Sequence, residues 1–158
     1  LTAFVDGRQL DDNAHVMLRF RGGAKGMLWA SQVAPGNENG LKLRVYGSKG
    51  GLEWEQEQPN HLWFTPFGGE KRLITRGGTG AGASAARVTR VPSGHPEGYL
   101  EGFANIYAEA ARAIRAVRDG TPIPEDVMFP TVEDGVEGVA FVEACVRSSK
   151  ENGAWTKL

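Results

Sequence analysis

A chain of 158 residues with 41% hydrophobic and 23% charged residues has the size and composition of one soluble globular domain. Its 18 basic and 19 acidic side chains give a net charge of −1, which argues against the basic surface that binds nucleic acid or anionic lipid. No apolar run approaches the roughly 18 residues needed to cross a bilayer.

Two features at the level of the whole chain concern its origin. Residues 1–12 have neither the basic start nor the apolar stretch of a secretory signal, and the chain does not begin with methionine, so we expect a fragment or a processed chain. The single cysteine, Cys145, cannot form an internal disulfide. Its place in a helical pattern predicts a buried, inert thiol in a cytoplasmic protein.

Alternation of apolar and polar residues predicts six short strands joined by glycine-rich turns. Their close spacing indicates one antiparallel meander. Residues 87–91 and 154–158 are candidates for further strands, whereas the small residues of 76–87 predict a mobile loop. The six predicted strands cover residues 14–21, 27–33, 41–46, 52–56, 61–65 and 71–75.

Two long helices are predicted after the strands. Residues 94–120 carry apolar side chains at steps of three and four, which predicts a helix with Pro96 in its first turn and Gly120 at its end. This stripe is the largest core contribution that the sequence offers. Thr131 and Asp134 predict a capping box for a second helix that Gly153 ends. The stripe consists of Leu100, Phe103, Tyr107, Ala110, Ile114 and Val117.

Strands followed by helices predict an α+β fold: a mostly antiparallel, open-faced β-sheet with two long helices packed on one face. The other face would be bare. Met17, Arg19, Tyr46 and Trp63 are predicted to lie there, which motivates the hypothesis of a homodimer formed through the open sheet face.

Residues 80–85, GAGASA, formally satisfy the glycine fingerprint of dinucleotide sites. The mechanism of that motif requires a strand before it, a helix directly after it and an acidic residue about 20 positions on, within a βαβ unit. That context is not convincingly present, so we interpret the segment as a loop and expect no cofactor-binding residue in this chain.

His95 is the strongest candidate for a functional side chain. It lies between a glycine and a proline directly before the predicted helix, where hydroxylated or anionic ligands are commonly held. The alternative is a helix cap or a solvated loop histidine.

Other patterns favour structural explanations. Glu53, Glu55 and Glu57 share one strand face, which is typical of a solvated surface rather than of a cation site. The tryptophans are dispersed over separate elements, as core or interface residues usually are. No serine hydrolase or zinc motif occurs, and no metal ligand is predicted.

Two stretches, residues 94–107 (GHPEGYLEGFANIY) and residues 129–155 from FPTVEDG to Trp155, resemble the C-terminal half of the Gfo/Idh/MocA oxidoreductases. Residues 11–54 also resemble the sheet of that family, and so does the closing pattern of Arg147-Ser148-Ser149-Lys150 followed by Trp155. The resemblance covers nearly the whole chain.

The resemblance implies an NAD(P)-dependent enzyme that acts on a sugar, polyol or related compound by hydride transfer. In the family, an N-terminal Rossmann domain carries the nucleotide and a Glu-Lys-Pro motif with the active-site lysine. Here Glu70 and Lys71 are followed by Arg72, so no catalytic role is carried onto Lys71. His95 is carried over as a substrate contact near the nicotinamide, and Glu97 is a second candidate for substrate binding.

We therefore expect residues 1–158 to be a single C-terminal substrate and oligomerisation domain, without the Rossmann domain, that is inactive alone and contains no catalytic residue. NAD or NADP would bind the intact parent protein. The alternative is a non-catalytic binding or scaffold module that dimerises through its open sheet. A third hypothesis is a carbohydrate-binding domain that uses Trp29 or Trp63.

Overall fold

The computed structural model describes residues 1–158, which divide into two compact units. One unit combines Leu1–Asn37 with Pro130–Leu158, and the other is Glu38–Phe129. All six predicted strands form near their predicted positions. In chain order the elements are β1 (Asn13–Arg19), β2 (Lys25–Ser31), β3 (Lys42–Gly47), β4 (Gly50–Glu55), β5 (His61–Pro66), β6 (Arg72–Thr75), α1 (Ala83–Val88), α2 (Tyr99–Arg118) and α3 (Val132–Lys150).

In the first unit, β1 and β2 form an antiparallel hairpin in which His15 lies opposite Trp29 and Met17 opposite Met27. The buried carboxylate of Asp12 holds the segment before β1. It accepts hydrogen bonds from the backbone N–H groups of Phe4 at 2.9 Å and Val5 at 3.1 Å. The bond from Phe4 is the main reason why the pKa of Asp12 lies below its usual range.

The predicted capping box of α3 is confirmed. Asp134 accepts from the Thr131 N–H at 2.7 Å, while the Thr131 hydroxyl accepts from the Asp134 N–H. The helix ends after Lys150, and Gly153 follows with a φ of 79°. The valines of its apolar side are exposed. They are Val132, Val136, Val139 and Val142.

The strand expected at residues 154–158 is wrong, because this segment pairs with no other strand. Trp155 instead lies against the guanidinium of Arg19, whose central carbon is 3.6 Å from the ring centroid. A cation held over an indole face accounts for this placement without any sheet hydrogen bonds.

In the second unit, β3 to β6 form a four-stranded antiparallel sheet in sequence order. The expected single meander of six strands is therefore wrong, since β2 and β3 do not pair. The connection between them contains Pro35, and both Gly36 and Gly40 have positive φ. Such a connection is a loop rather than the tight turn that would join neighbouring strands.

The two faces of the four-stranded sheet differ in character. Arg44, Glu53 and Trp63 share a polar and aromatic face that continues to Tyr46 on the edge strand. The opposite face is apolar except for Arg72, which lies beside Phe64, and it is half-buried over much of β4, β5 and β6. Its members are Leu43, Val45, Leu52, Trp54, Leu62, Phe64 and Ile74. Antiparallel open sheets and two long helices confirm the predicted α+β class.

Helix α2 buries a different side from the apolar stripe that was predicted to be buried. In the apolar stripe, Tyr107 is 72% exposed, Ile114 68% and Val117 69%. The residues that the helix buries are Glu109, Ala113 and Ala116. The expectation that the stripe supplies the core is therefore wrong for this chain, in which α2 packs by a side of small and charged residues.

The ends of α2 were predicted in part. Gly120, with a φ of 66°, follows the end of the helix as expected. Pro96 does not lie in the first turn, because α2 begins at Tyr99. There the Glu101 carboxylate accepts from the Gly98 N–H at 2.9 Å, which lowers the pKa of Glu101.

The expectations for residues 76–91 are also corrected. A loop running through residue 87 is wrong in its second half, where α1 forms, and no strand covers 87–91. Alanine has the highest helix propensity of all residues, and Arg87 anchors the short helix through an ion pair with Glu109 at 2.7 Å.

None of the helices is long and apolar enough to span a membrane.

Candidate functional site

His95 lies in the segment that joins α1 to α2, here called the 91–98 segment. Its side chain is exposed, and its ring Nδ1 lies 3.4 Å from the Ser93 carbonyl oxygen. No other hydrogen bond involves the imidazole, so the ring is open to a ligand. Its position in space therefore depends on how firmly the backbone of the segment is held.

Glu97, the second predicted site residue, is buried in the same segment. Its carboxylate accepts hydrogen bonds from the N–H groups of Arg90 at 2.9 Å and Val91 at 3.2 Å. It also forms an ion pair with Arg76 at 2.8 Å. Both carboxylate oxygens thus have partners within the protein, and the contacts of Glu97 hold the segment rather than face solvent.

Arg76 and Asn60 complete the attachment of the segment. Arg76 follows β6 directly, and its Nε donates to the Asn60 Oδ1 at 2.7 Å. Asn60 in turn bonds to the backbone of Glu97: its Nδ2 donates to the carbonyl oxygen at 2.9 Å, and its Oδ1 accepts from the N–H at 3.2 Å. The guanidinium of Arg76 also donates to the carbonyl oxygens of Val91, Pro92 and His95.

A second pair of side chains ties the end of α1 to α2. Arg90 donates through its Nε to the Asn105 Oδ1 at 2.6 Å and through NH2 to the Ala104 carbonyl oxygen at 3.0 Å. Asn105 donates from its Nδ2 to the Val88 carbonyl oxygen at 2.8 Å. The backbone is therefore fixed immediately before the 91–98 segment as well as within it.

Further along α2, a cluster of charges binds the helix to the residues that follow it. Glu109 accepts from Arg87 at 2.7 Å and from the backbone N–H of Met128 at 2.8 Å, and these bonds hold the pKa of Glu109 below its usual range. Arg112 donates to Asp126 at 2.7 Å, which lowers the pKa of Asp126. These charged groups pair with one another and connect α2 to α1 and to the residues after α2.

The glycine-rich residues 80–85 do not fit a dinucleotide. They follow the antiparallel strand β6 and lead into α1, a helix of only six residues that has no acidic residue in its first turn. A dinucleotide motif instead joins a parallel strand to a long helix whose N-terminus faces the pyrophosphate. This segment therefore lacks the structural context of a dinucleotide site.

Of the three glutamates predicted to share a strand face, Glu53 and Glu55 lie on β4 and form ion pairs, whereas Glu57 lies beyond the end of the strand. Glu53 pairs with Lys71 at 2.8 Å and Glu55 with Lys42 at 3.1 Å. Lys71 also lies over the Trp63 ring at 5.1 Å from its centroid. No three histidine, cysteine, aspartate or glutamate side chains are grouped so that they could hold a metal ion.

Trp29 is fixed rather than free. Its Nε1 donates to the Asn13 Oδ1 at 2.9 Å, and its ring lies parallel to that of His15 at a centroid distance of 6.3 Å. The ring itself is exposed. This arrangement is explained by local packing of a cross-strand pair.

His95 and Glu97 were predicted from the sequence, whereas Arg76 and Asn60 were not. The contacts that connect them to the 91–98 segment span 15 to 37 residues of sequence. No local pattern encodes such contacts. The only available signal was a charged residue directly after a strand, and that signal is common on protein surfaces.

The fold and the site define an α+β domain with open antiparallel sheets and a firmly held loop that presents a histidine. Residues 2–158 match the sequence pattern described as the C-terminal alpha/beta domain of an oxidoreductase family. The chain therefore belongs to the Gfo/Idh/MocA oxidoreductase family, as its sequence resemblance predicted.

Three relatives illustrate this membership. An oxidoreductase from Sinorhizobium meliloti is 66% identical, with a TM-score of 0.95 over 99% of this chain and 44% of that chain. An inositol dehydrogenase homologue from Azotobacter vinelandii, complexed with NADH and myo-inositol, is 37% identical with a TM-score of 0.89 over 95% of this chain and 40% of that chain. The uncharacterized oxidoreductase YfiI of Bacillus subtilis is 34% identical over 99% of this chain and 40% of its own length.

The chain thus spans between 40% and 44% of the length of these relatives. More than half of each relative has no counterpart among the 158 residues.

Proposed function

We propose that this chain is the substrate-side domain of an NAD(P)-dependent oxidoreductase that acts on a sugar, polyol or related compound by hydride transfer. The observation that carries the proposal is the exposed imidazole of His95 on a segment held by one largely buried ion pair and several hydrogen bonds. Kinship with a homologue that was crystallised with NADH and myo-inositol supports the class of substrate and cofactor.

In this proposal His95 binds a hydroxyl group of the substrate. A neutral imidazole has one ring nitrogen that donates and one that accepts a hydrogen bond, which suits an alcohol that does both. The nicotinamide nucleotide would supply the hydride chemistry in the intact protein, and the residues of this chain would orient the substrate. The 158 residues alone are then inactive, and residues 1–158 act as the substrate and oligomerisation part of a longer enzyme.

His95→Ala in the intact protein tests the assignment. We expect kcat/KM with NAD⁺ and myo-inositol, or with the best substrate from a panel of polyols and aldoses, to fall by about tenfold or more, as the loss of one or two hydrogen bonds predicts. The melting temperature should stay unchanged, because the exposed ring contributes little to packing. Initial rates and thermal melting of the same preparations give both quantities.

The matched control is His15→Ala, which removes another exposed histidine, on β1. That variant should retain full activity. If His95→Ala leaves kcat/KM unchanged, or if it lowers activity only in proportion to stability, His95 is a structural residue. The non-catalytic scaffold module then becomes the better account.

We further propose that the intact protein forms a homodimer through the open face of the four-stranded sheet. Tyr46 is 67% exposed and Trp63 is 39% exposed on this face. Lysine and glutamate side chains pair across it, so both signs of charge are present on one surface. Such a surface can be self-complementary about a two-fold axis.

Sedimentation at micromolar concentration tests the dimer. Tyr46→Glu places a charge in the proposed interface and should convert a dimer into a monomer, because an unpaired buried charge is costly. Arg115→Glu is the control, since Arg115 is exposed on α2, lies outside its apolar stripe and forms no ion pair. A monomer before any substitution, or an equal effect of both substitutions, would contradict the proposal.

The compartment of the protein is also part of the proposal. Cys145 is a free, half-buried thiol, and unpaired thiols persist in a reducing compartment such as the cytoplasm.

A further inference from the structure

The His95 ring makes one contact of 3.4 Å to the Ser93 carbonyl oxygen and none to another side chain. A substrate contact of this kind needs its backbone to be fixed, because a displacement of about 1 Å can cost a factor of about 100 in rate. The groups that fix the backbone on both sides of His95 are therefore candidates for a functional role of their own.

Arg76 contacts both sides of His95 at once. Before the histidine it donates to the Val91 carbonyl oxygen at 2.7 Å and to the Pro92 carbonyl oxygen at 3.1 Å. It also donates to the carbonyl oxygen of His95 itself. After the histidine it forms the ion pair with Glu97 at 2.8 Å. One guanidinium therefore fixes the 91–98 segment both before and after His95.

The surroundings of this ion pair require an arginine at position 76. The Arg76 side chain is 15% exposed and the Glu97 side chain 7% exposed, so the pair is largely removed from solvent. Loss of one partner therefore leaves the other as an uncompensated buried charge. Arginine offers five N–H groups in a planar arrangement, and four of the hydrogen bonds of Arg76 go to separate acceptors. Lysine keeps the charge but has only three donors on one nitrogen.

Glu97 closes the same structure from the other end. Its carboxylate accepts from the N–H groups of Arg90 and Val91, so the start of the segment is bonded to its end. Asn60 holds the backbone of Glu97 and the Nε of Arg76 together. Arg76, Asn60 and Glu97 thus form one connected unit around the backbone of His95, and we call this unit the clasp.

We propose that Arg76 is a positioning residue of the substrate site, acting through the clasp to place the His95 imidazole against the substrate. This proposal rests on the proposed function, which assigns the substrate contact to His95. It also assigns Glu97 a positioning role in place of direct contact with the substrate.

A double-mutant cycle in the intact protein separates positioning from general stabilisation. Arg76→Lys is expected to lower kcat/KM by about tenfold when His95 is present, and by less than about twofold in the His95→Ala background. The non-additivity arises because a misplaced imidazole and an absent imidazole lose the same contact. Arg118→Lys is the control, since Arg118 is exposed and bonds only to Asp119; it should leave kcat/KM unchanged in both backgrounds.

A second readout needs no turnover. In Arg76→Lys, hydrogen exchange of the Arg90, Val91 and Glu97 amides should accelerate by about tenfold or more, while the amides of β4 and β5 keep their rates. If Arg76→Lys does not fold, Asn60→Ala takes its place in both measurements, because it removes bonds of the clasp and leaves the ion pair intact.

The outcomes are distinct. An equal loss in both backgrounds, or unchanged amide exchange in the 91–98 segment, overturns the positioning role while His95→Ala still tests the proposed function by itself. No effect of His95→Ala alone overturns the proposed function and the positioning role together. Non-additive kinetics with faster local exchange support both.

Discussion

Three buried carboxylates hold the loops of this chain. Each of Asp12, Glu97 and Glu109 accepts a hydrogen bond from at least one backbone N–H group and also forms an ion pair with an arginine. Charge-assisted bonds of this kind are shorter and stronger than neutral ones, and the arginine compensates the buried charge. Loops built in this way need few apolar contacts, which fits a chain with very few fully buried apolar side chains.

Glu109→Gln is expected to change the acid stability of the chain. The pKa of Glu109 is lowered, first by its hydrogen bond to Arg87, so its folded value lies below the unfolded value of about 4.3. The stabilisation is therefore complete above the unfolded pKa and is lost as the pH falls through the folded pKa. The variant should melt at a lower temperature at neutral pH and show a flatter dependence on pH below about 4.3.

Thermal melting between neutral and acidic pH measures this effect. Glu137→Gln is the control, because Glu137 is exposed on α3 and forms no ion pair. Parallel pH profiles for Glu109→Gln and the unaltered chain would show that the carboxylate does not contribute to acid stability.

At the scale of elements, the apolar side of α2 is not the side that is buried. Its side of small and charged residues is buried, and its apolar stripe is exposed. Periodicity in the sequence identified a helix correctly because the spacing of apolar residues is local information. It did not identify the packed side, because that side depends on Arg87 of α1 and on the backbone of Met128 in the loop after α2, both of which bond to Glu109.

Two substitutions on neighbouring residues test this orientation. Ala113 is 6% exposed, so Ala113→Leu should overpack the site and destabilise the chain by about 1–3 kcal/mol. Ile114 is 68% exposed, so Ile114→Ala should change stability by no more than about 0.5 kcal/mol. Urea denaturation gives both values, and the reverse order would place the stripe in the core as the sequence predicted.

The same distinction explains the other outcomes. The strands were found because alternation within a strand reflects its two faces, and the Thr131 cap was found because its partner lies three residues away. The separation of β2 from β3 was missed, since pairing depends on which strands meet in space. At the site, the position of His95 before a helix was visible in sequence, whereas the contacts of Arg76 and Asn60 with its segment were not.

At the scale of the whole molecule, the chain spans 40% to 44% of the length of its relatives. It exposes apolar side chains along both long helices. Exposed apolar surfaces of this extent mark sites of interaction. Under the proposed function, these residues would hold the substrate, and the nucleotide would bind to residues outside them.

Calorimetric titration of NADH and NADPH into the 158-residue chain and into the intact protein tests this division most directly. Circular dichroism of the chain beforehand establishes that it is folded. We expect the intact protein to bind one of the two nucleotides at micromolar concentration, and the chain alone to show no binding tighter than about 1 mM. Binding of either nucleotide to the chain alone with a dissociation constant below about 1 mM would place a cofactor site within these residues and contradict the account.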